Sequence, residues 1–413
     1  MSKSDFGWLA FDQAASDEVD TMLKALAEPG MLDPLGLGSL RDAIANQLAP
    51  GVSTIQTRLR YFLFIPWILR RIERDRVPVG QFAKRLRHDE ARLIDCLRPL
   101  GPGEGTIGYN AGIELQRLPS EVYWGGLGSW EIRRLDLSIS EYGRRLAAFS
   151  PRPPERDNDG NVISPHVSMW ALSVQPPEGD QFLSVETTFD LTRPEANQIV
   201  QRIELSHSGS LLAQACAHPG LFEHFEVPWE ALDRPTARAK LSPATQALVL
   251  HARNVSEMTL MPQLAYNVHV ARRSQTELHR DTHRTIDEAS EQAAALAAII
   301  EGRHAELAKW LDNIDEFWTI ADPGGDVPEE TRAFIERMSE AVLEAPSKFV
   351  DDVTIARDIT MREHQLKGQR ARLTSRAALE SFPGGLIGGQ MDFRWSNVRR
   401  YLADLAAATG TGA

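Results

Sequence analysis

A long stretch of helical periodicity in the C-terminal half most constrains the fold of this 413-residue chain. Ser242-Pro243 is a typical helix start, and the helix that follows is predicted to run to Arg273. A second long helix is predicted over about 281–314, because apolar residues recur there every three or four positions. These residues are Ile286, Ala289, Ala293, Leu296, Ile300, Leu307 and Leu311, and only Arg303 and His304 break the pattern. Since 328–372 is again helical in pattern, the chain is predicted to be mainly α, multi-helical, with a few short strands at most.

The N-terminal half also favours helices. Pro66 lies inside one of them and is expected to kink or divide it. Thr192 and Glu195 have the spacing of a capping box, which predicts a further helix start, and a strand is expected over 182–189. Breakers, caps and apolar spacing predict helices over 12–27, 40–48, 53–74, 80–97, 119–134 and 138–149.

One segment suggests a domain boundary. Proline, glycine and charged residues dominate 150–165, a composition typical of an exposed linker or surface loop. We therefore predict an N-terminal helical domain over 1–149 and a C-terminal helical domain over 166–413. The long helices of the second domain are expected at about 242–372.

Composition excludes several classes of protein. Hydrophobic residues make up 42% of the chain and charged residues 25%, which excludes extensive disorder. The two cysteines, Cys96 and Cys216, are too few for a disulfide framework or a cysteine zinc site. The best apolar run, Tyr61–Leu69, is shorter than the ~20 residues that span a bilayer, and the N-terminus lacks the apolar stretch of a signal peptide. We therefore expect a soluble, cytoplasmic protein that does not contact membranes.

The net charge of −12 is unevenly distributed. Residues 277–361 contain 20 acidic and 8 basic residues, a balance of −12. In contrast, 52–98 contains 11 basic and 5 acidic residues, and 362–400 contains 8 basic and 3 acidic residues. Because nucleic acids bind to local basic surfaces, the acidic total does not exclude a nucleic-acid interface.

Motifs of several common enzyme classes are missing from the sequence. No Gly-Lys pair occurs, which excludes a Walker A phosphate loop. No lysine follows an acidic residue by two positions, as it does in restriction-type nucleases, and neither Gly-x-Ser-x-Gly nor His-Glu-x-x-His occurs. We therefore expect no cofactor and favour a non-catalytic role.

Residues 41–60 have the outline of a helix-turn-helix. A short helix meets a tight turn at Pro50-Gly51, and a second helix starting at Thr54 would present polar side chains to the major groove of DNA. The alternative is an ordinary helical corner that the following apolar residues pin in the core. The candidate nucleic-acid ligands in this segment are Gln56, Arg58 and Arg60.

A second basic segment lies near the C-terminus, where arginines alternate with Phe393 and Trp395. This alternation suits phosphate contacts combined with base stacking. The alternative is that these arginines pair with the acidic stretch 277–361. The candidate nucleic-acid ligands here are Arg370, Arg372, Arg394, Arg399 and Arg400.

A polar cluster interrupts the long helix that starts at Ser242. Its members are His251, Arg253, Asn254 and Glu257, which fall within two helical turns. Burial of such groups is unfavourable unless they are satisfied, so the cluster is either a structural network or an enzyme site.

A spacing typical of metal ligands follows the same helix. His279, His283 and Asp287 are each four residues apart, which would place them on one helical face as ligands of a divalent metal. The alternative, which we favour, is a solvated polar face without a metal.

Six sequence blocks at both ends and in the middle of the chain form a recognisable pattern. They are FGWLAF near the N-terminus, STIQTRLRYFLFIPWILRRIE at 53–73, LPSEVYWGGLGSWEIRR at 118–134, HARNVSEMTLMPQLAYNVHVARR at 251–273, LKGQRARL at 366–373 and FRWSNVRRYLADL at 393–405. Together these blocks resemble a bacterial family that carries only a domain-of-unknown-function label. Its members lie near helicase and nuclease genes in phage-defence islands, so the resemblance implies a subunit of a defence complex, by analogy.

Three functions are consistent with the sequence. The favoured one is a non-catalytic helical subunit of a phage-defence assembly. It would bind partner subunits of helicase or nuclease type, and one form of this hypothesis adds DNA as a second ligand. The first alternative is a protein that binds DNA or RNA directly. The second alternative is an enzyme with a site around His251–Glu257.

Overall fold

The computed structural model describes residues 33–150 and 168–410, together with the backbone of two short strands between these ranges. The strands β1 (Glu155–Arg156) and β2 (Val162–Ser164) pair antiparallel, with residue 155 opposite 164 and residue 156 opposite 162. The helices of the first range are α1 (Gly38–Leu48), α2 (Tyr61–Arg74), α3 (Phe82–Leu97), α4 (Pro119–Ser129), α5 (Ile139–Arg144) and α6 (Leu146–Phe149). The predicted helix over 12–27 lies outside the described residues.

The second range contains thirteen α-helices among its described residues. They are α7 (Arg193–His207), α8 (Leu211–Cys216), α9 (Pro219–Phe222), α10 (Glu230–Asp233), α11 (Pro235–Arg238), α12 (Pro243–Leu278), α13 (His283–Gly302), α14 (His304–Asp312), α15 (Ile314–Ala321), α16 (Glu329–Glu344), α17 (Val353–Lys367), α18 (Arg376–Glu380) and α19 (Trp395–Thr409). Short 3-10 helices lie at Val79–Gln81, Arg98–Leu100, Gly112–Glu114, Gly179–Gln181, Pro346–Asp351 and Gly368–Arg370. The predicted mainly α class is confirmed.

The chain divides into two compact units. The first unit comprises Ile44–Ala252 and the described residues from Asp392 onward, and the second comprises Arg253–Met391 with the described residues 33–43. These limits differ from the boundary predicted at 150–165, because both flanks of that segment belong to the first unit.

The predicted start of one helix is confirmed, whereas the proline expected to kink or divide another does not divide it. The Thr192 hydroxyl accepts a hydrogen bond from the Glu195 backbone N–H, and the Glu195 carboxylate bonds back to the Thr192 N–H, which is the predicted capping box at the start of α7. Pro66 lies within α2, which continues to Arg74, so the proline does not divide this helix.

The helix predicted to start at Ser53 or Thr54 is wrong. The backbone over 54–60 forms turns and irregular structure, and α2 begins only at Tyr61. The Gln56 side chain accepts a hydrogen bond from the Ser53 N–H at 3.0 Å and donates to the Gly51 carbonyl at 3.2 Å. Such bonds between side chain and backbone compete with the helical pattern and contribute to the late helix start.

Two other predicted elements also differ from the structure. No strand forms over 182–189, since Leu183 adopts a left-handed backbone with φ of 68° that cannot continue a strand. The helix predicted over about 281–314 is divided between α13 and α14, and the break falls at Arg303, one of the two residues that interrupt the apolar pattern.

α2 forms the centre of the first unit's core. All residues of Tyr61–Leu69 are buried, as expected for a helix that is apolar on every side. The Phe62 ring stacks on Trp130 with a centroid separation of 3.8 Å. This close packing requires Gly126 in α4, where an added Cβ would lie 2.5 Å from the Gly51 carbonyl oxygen and 2.8 Å from the Phe62 ring. α19 packs against α7, α8 and α9 and completes this core.

In the second unit, α12 anchors the chain segment that precedes Met391. The Asn267 amide donates to the Ile387 carbonyl at 2.9 Å and accepts from the Ile387 N–H at 2.7 Å. The Ser256 hydroxyl donates to the Met391 carbonyl at 3.0 Å. These buried polar side chains of α12 therefore satisfy backbone groups that the loop cannot satisfy for itself.

Candidate functional site

The three predicted DNA ligands near residue 60 bond within the first unit. Arg58 makes a bidentate ion pair with Asp404, with Nη2–Oδ1 at 2.7 Å and Nε–Oδ2 at 3.3 Å. Arg60 is 3% exposed and its Nη2 lies 2.9 Å from Oε1 of Glu195, which is itself buried. Gln56 is 2% exposed. Two of the three side chains are thus buried, and the segment does not present a recognition helix.

The C-terminal arginines Arg394, Arg399 and Arg400 belong to the first unit. Arg394 donates to the Asn46 side-chain oxygen at 2.8 Å and to the Val52 carbonyl at 2.7 Å. Arg399 forms an ion pair with Glu226, which lies outside the acidic stretch 277–361, whereas Arg400 is exposed. Two of these three side chains therefore stabilise the unit that contains them.

The other two predicted arginines, Arg370 and Arg372, belong to the second unit. Arg370 is exposed, whereas Arg372 is 6% exposed. The buried Glu363 carboxylate accepts the Arg372 backbone N–H at 3.0 Å and the Tyr266 hydroxyl at 2.6 Å. The five arginines therefore do not form the single exposed series that the sequence suggests.

Three members of the predicted polar cluster form a buried ion-pair network in the second unit. Glu257 is 4% exposed and accepts hydrogen bonds from Arg253 Nε at 3.1 Å and from Arg303. Arg303 also donates to the Asn254 side-chain oxygen at 2.6 Å and pairs with Glu306 at 2.6 Å. Because these groups satisfy one another, the arrangement favours the structural interpretation over the catalytic one.

His251, the fourth member of the cluster, lies on α12 like the other three, and the two histidines of the predicted metal site come after it in the chain. His251 belongs to the first unit and is half-buried. His279 directly follows α12 and has a left-handed φ of 53°, whereas His283 begins α13 and its Nε2 lies 2.8 Å from the Gln275 amide nitrogen. His279, His283 and Asp287 therefore do not share one helical face, and no group of three or more His, Cys, Asp or Glu side chains among the described residues is placed to hold a metal.

An opening of about 490 Å³ in the first unit, here called the arginine cleft, lies at the C-terminal end of α2. Arg71 donates to the Phe182 carbonyl at 2.8 Å, and Arg70 donates to the Leu172 carbonyl. Arg74 is 60% exposed at the rim and lies 3.5 Å from Asp180. The residues that decide its chemistry are Trp67, Arg70, Arg71, Arg74, Asp180 and Phe182.

A buried carboxyl group also lines the arginine cleft. Glu73 accepts hydrogen bonds from the Tyr142 hydroxyl at 2.5 Å and from the Trp170 indole N–H at 3.0 Å. Burial raises the pKa of Glu73. The two hydrogen bonds and the nearby Arg70 charge lower it, but their effect is smaller than that of burial. Burial also lowers the pKa of the Arg70 guanidinium, so both groups are held in surroundings that disfavour their charged forms.

A second opening, of about 680 Å³, lies between α15 and α16 in the second unit and is here called the carboxylate cleft. The Trp318 indole N–H donates to Glu336 at 2.5 Å. Arg332 pairs with Asp322 at 2.6 Å, and its guanidinium carbon lies 5.1 Å from the Trp318 ring centroid. The exposed carboxylates Asp315 and Glu329 also line the opening, so its lining has an excess of negative charge.

A family model that describes a family of unknown function (DUF6361) matches residues 3–409. The chain belongs to this family. No curated protein and no solved structure matches it. None of the helices in the described ranges is long and apolar enough to cross a membrane. The family description assigns no residue roles.

Sequence reasoning did not identify either cleft. The arginines of the arginine cleft belong to the basic segment 52–98, and the sequence signal for them is their position directly after the apolar run Tyr61–Leu69. Arg303, which completes the network around Glu257, was visible as one of two interruptions in the apolar pattern of its helix. In each case the sequence supplied the residue type but not its partner.

Proposed function

We propose that this protein is a non-catalytic helical subunit of a cytoplasmic bacterial phage-defence assembly. In this proposal its second unit binds a basic segment of a partner subunit of helicase or nuclease type. The defence setting rests on the resemblance of the sequence blocks and is an analogy. The binding mode rests on one observation, the charge and shape of the carboxylate cleft.

The lining of the carboxylate cleft favours a cationic partner. Four carboxylates, from Asp315, Asp322, Glu329 and Glu336, line it together with the single cation Arg332. Arg332 is bound to Asp322, and Glu336 accepts the indole N–H, which leaves Asp315 and Glu329 for an incoming charge. Exposed charges of this kind steer association and set specificity more than they set affinity.

Charge reversal at the carboxylate cleft tests the proposal. The protein is co-expressed with a tagged candidate partner of helicase or nuclease type, and co-purification and protection from phage are measured. Asp315→Lys with Glu329→Lys is expected to reduce co-purification about tenfold or more and to abolish protection. The matched control, Glu288→Lys with Glu291→Lys, makes the same charge change at exposed positions on α13 and is expected to retain both. Unchanged co-purification of the cleft variant would overturn the proposed binding mode.

The direct nucleic-acid alternative makes a different prediction. If the isolated protein binds labelled DNA or RNA, and the affinity falls steeply between about 50 and 200 mM salt, phosphate contacts carry its function. Arg370 and Arg400 are the exposed members of the predicted set and would be the residues to change first. The enzyme alternative has less support, because Glu257 is already bonded to Arg253 and Arg303.

A further inference from the structure

The geometry of the arginine cleft points to a second binding site, independent of the proposed function. We infer that this cleft binds the phosphate group of a small phosphorylated molecule. Three guanidinium groups converge there from the last turns of α2, at Arg70, Arg71 and Arg74. Arginine is the side chain best suited to bidentate phosphate recognition.

Two guanidinium nitrogens at this cleft are buried without a hydrogen-bond partner among the described residues. They are Nη1 of Arg70 and Nε of Arg71. A backbone carbonyl holds each guanidinium, that of Leu172 for Arg70 and that of Phe182 for Arg71, and the two named nitrogens take no part in these bonds. An unsatisfied buried donor costs about 1–3 kcal/mol, and more for a charged group. If the two guanidinium groups reorient toward a bound oxyanion, its oxygens can accept these hydrogen bonds and remove that cost.

Acidic residues neutralise these arginines only in part, through the ion pairs of Arg74 with Asp180 and Asp75. Asp180 is fully exposed at the rim and lies 3.5 Å from Arg74. The Glu73 carboxyl group accepts hydrogen bonds from Tyr142 and Trp170 instead. The charges lining the cleft are therefore three cations against two carboxyl groups, of which one is buried and one points to solvent, and a phosphate adds the missing negative charge.

The walls favour an organic phosphate over the free ion. The cleft volume of about 490 Å³ lies within the range of ligand pockets and exceeds what one phosphate fills. Trp67 and Phe182 contribute an apolar aromatic wall, and the Trp67 indole N–H is already bonded to the Val174 carbonyl. A flat or apolar group next to the phosphate would cover this wall.

Calorimetric titration of the full-length protein with phenyl phosphate, inorganic phosphate and benzoate at constant ionic strength tests the inference. Phenyl phosphate is expected to bind most tightly and benzoate least. Arg71→Gln with Arg74→Gln should weaken phenyl phosphate binding about tenfold or more, since each charge-assisted bond contributes more than one factor of ten. Arg144→Gln, an exposed arginine that does not line the cleft, should leave it unchanged.

A second variant serves as the control for correct folding. Arg74 is mainly exposed, so Arg74→Gln alone should retain the circular dichroism spectrum and melting temperature while weakening phenyl phosphate binding. No saturable binding of either phosphate up to about 10 mM, equal affinity for benzoate, or wild-type affinity of the double variant would each overturn the inference. Because the carboxylate cleft belongs to the other unit, loss of partner co-purification would leave this result unaffected.

Discussion

Glu90 provides a direct test of the electrostatics of the first unit. This α3 side chain is fully buried. Its Oε1 accepts the Ser120 N–H at 2.7 Å, and its Oε2 lies 3.1 Å from the Ser120 hydroxyl oxygen. Ser120 is in the first turn of α4, so the carboxyl group satisfies an N–H that has no partner within that helix. Burial raises the pKa of Glu90 to about 8. At pH 7 the group is therefore mainly a neutral acid that can donate its own proton to the hydroxyl.

The pH dependence that follows has a definite sign. In the unfolded chain Glu90 loses its proton around its ordinary pKa of 4.5, whereas the folded protein retains it up to about pH 8. The folded state therefore binds more protons across this window, and its stability falls as the pH rises. The contribution is complete below pH 4.5 and is lost by about pH 8. Between pH 5 and pH 8 the expected loss is about 3–4 kcal/mol, from about 1.4 kcal/mol per pH unit.

Glu90→Gln isolates this effect, because an amide can accept from the Ser120 N–H and donate to the Ser120 hydroxyl without titrating. Urea unfolding of both proteins is measured by circular dichroism at pH 5, 6, 7 and 8, and the difference in unfolding free energy is followed so that other titrating groups cancel. We expect the variant to gain about 3–4 kcal/mol relative to wild type across this range. The exposed Glu114→Gln serves as the control and should follow wild type. A Glu90→Gln difference that does not change with pH would refute the reasoning.

Three shorter predictions concern helix packing, a buried ion pair and the reactivity of a thiol. Gly126→Ala should destabilise the protein by about 1–3 kcal/mol through overpacking, whereas Gly125→Ala, in open space on the same helix, should be neutral or stabilising by up to about 1 kcal/mol; equal urea midpoints would contradict this. Arg303→Met should cost about 3 kcal/mol by removing a partner of the buried Glu257, and adding Glu257→Gln should recover part of the loss in the same assay. Burial raises the pKa of the Cys216 thiol to about 12, so a thiol reagent should label it far more slowly in native protein than in urea; equal rates would refute this.

The sequence predicted those elements of the fold that local interactions determine. The capping box of α7 needs only Thr192 and Glu195, and most of α12 follows from its start signal and apolar content. The prediction failed where distant residues hold the backbone. The Tyr123 hydroxyl, far along the chain, accepts the N–H groups of Thr57 and Arg58 at 2.8 and 3.0 Å and holds that segment outside a helix. No local pattern contains this information.

The candidate sites were harder to predict from the sequence for the same reason. The chemistry of the arginine cleft requires the end of α2 and the segment around Asp180 and Phe182, which only the fold brings together. The buried pair of Arg60 and Glu195 joins residues 135 positions apart, so the sequence could not show that this arginine already has a partner. Residue types and the uneven distribution of charge were therefore predictable. Which charged side chains already have a partner in the fold was not.

This distinction decides which variants can test DNA binding. Arg60→Ala would leave the buried Glu195 carboxylate without its ion-pair partner, a change that costs about 3–5 kcal/mol. A loss of DNA binding in that variant would report unfolding rather than a lost phosphate contact. Arg370→Gln and Arg400→Gln change exposed side chains and should leave the melting temperature unchanged. If the isolated protein binds DNA through these arginines, each change should weaken binding similarly for all sequences and reduce the slope of log affinity against log salt by about 1. An unchanged slope in both variants would exclude them as phosphate contacts, and would leave Arg71 and Arg74 as the next residues to test.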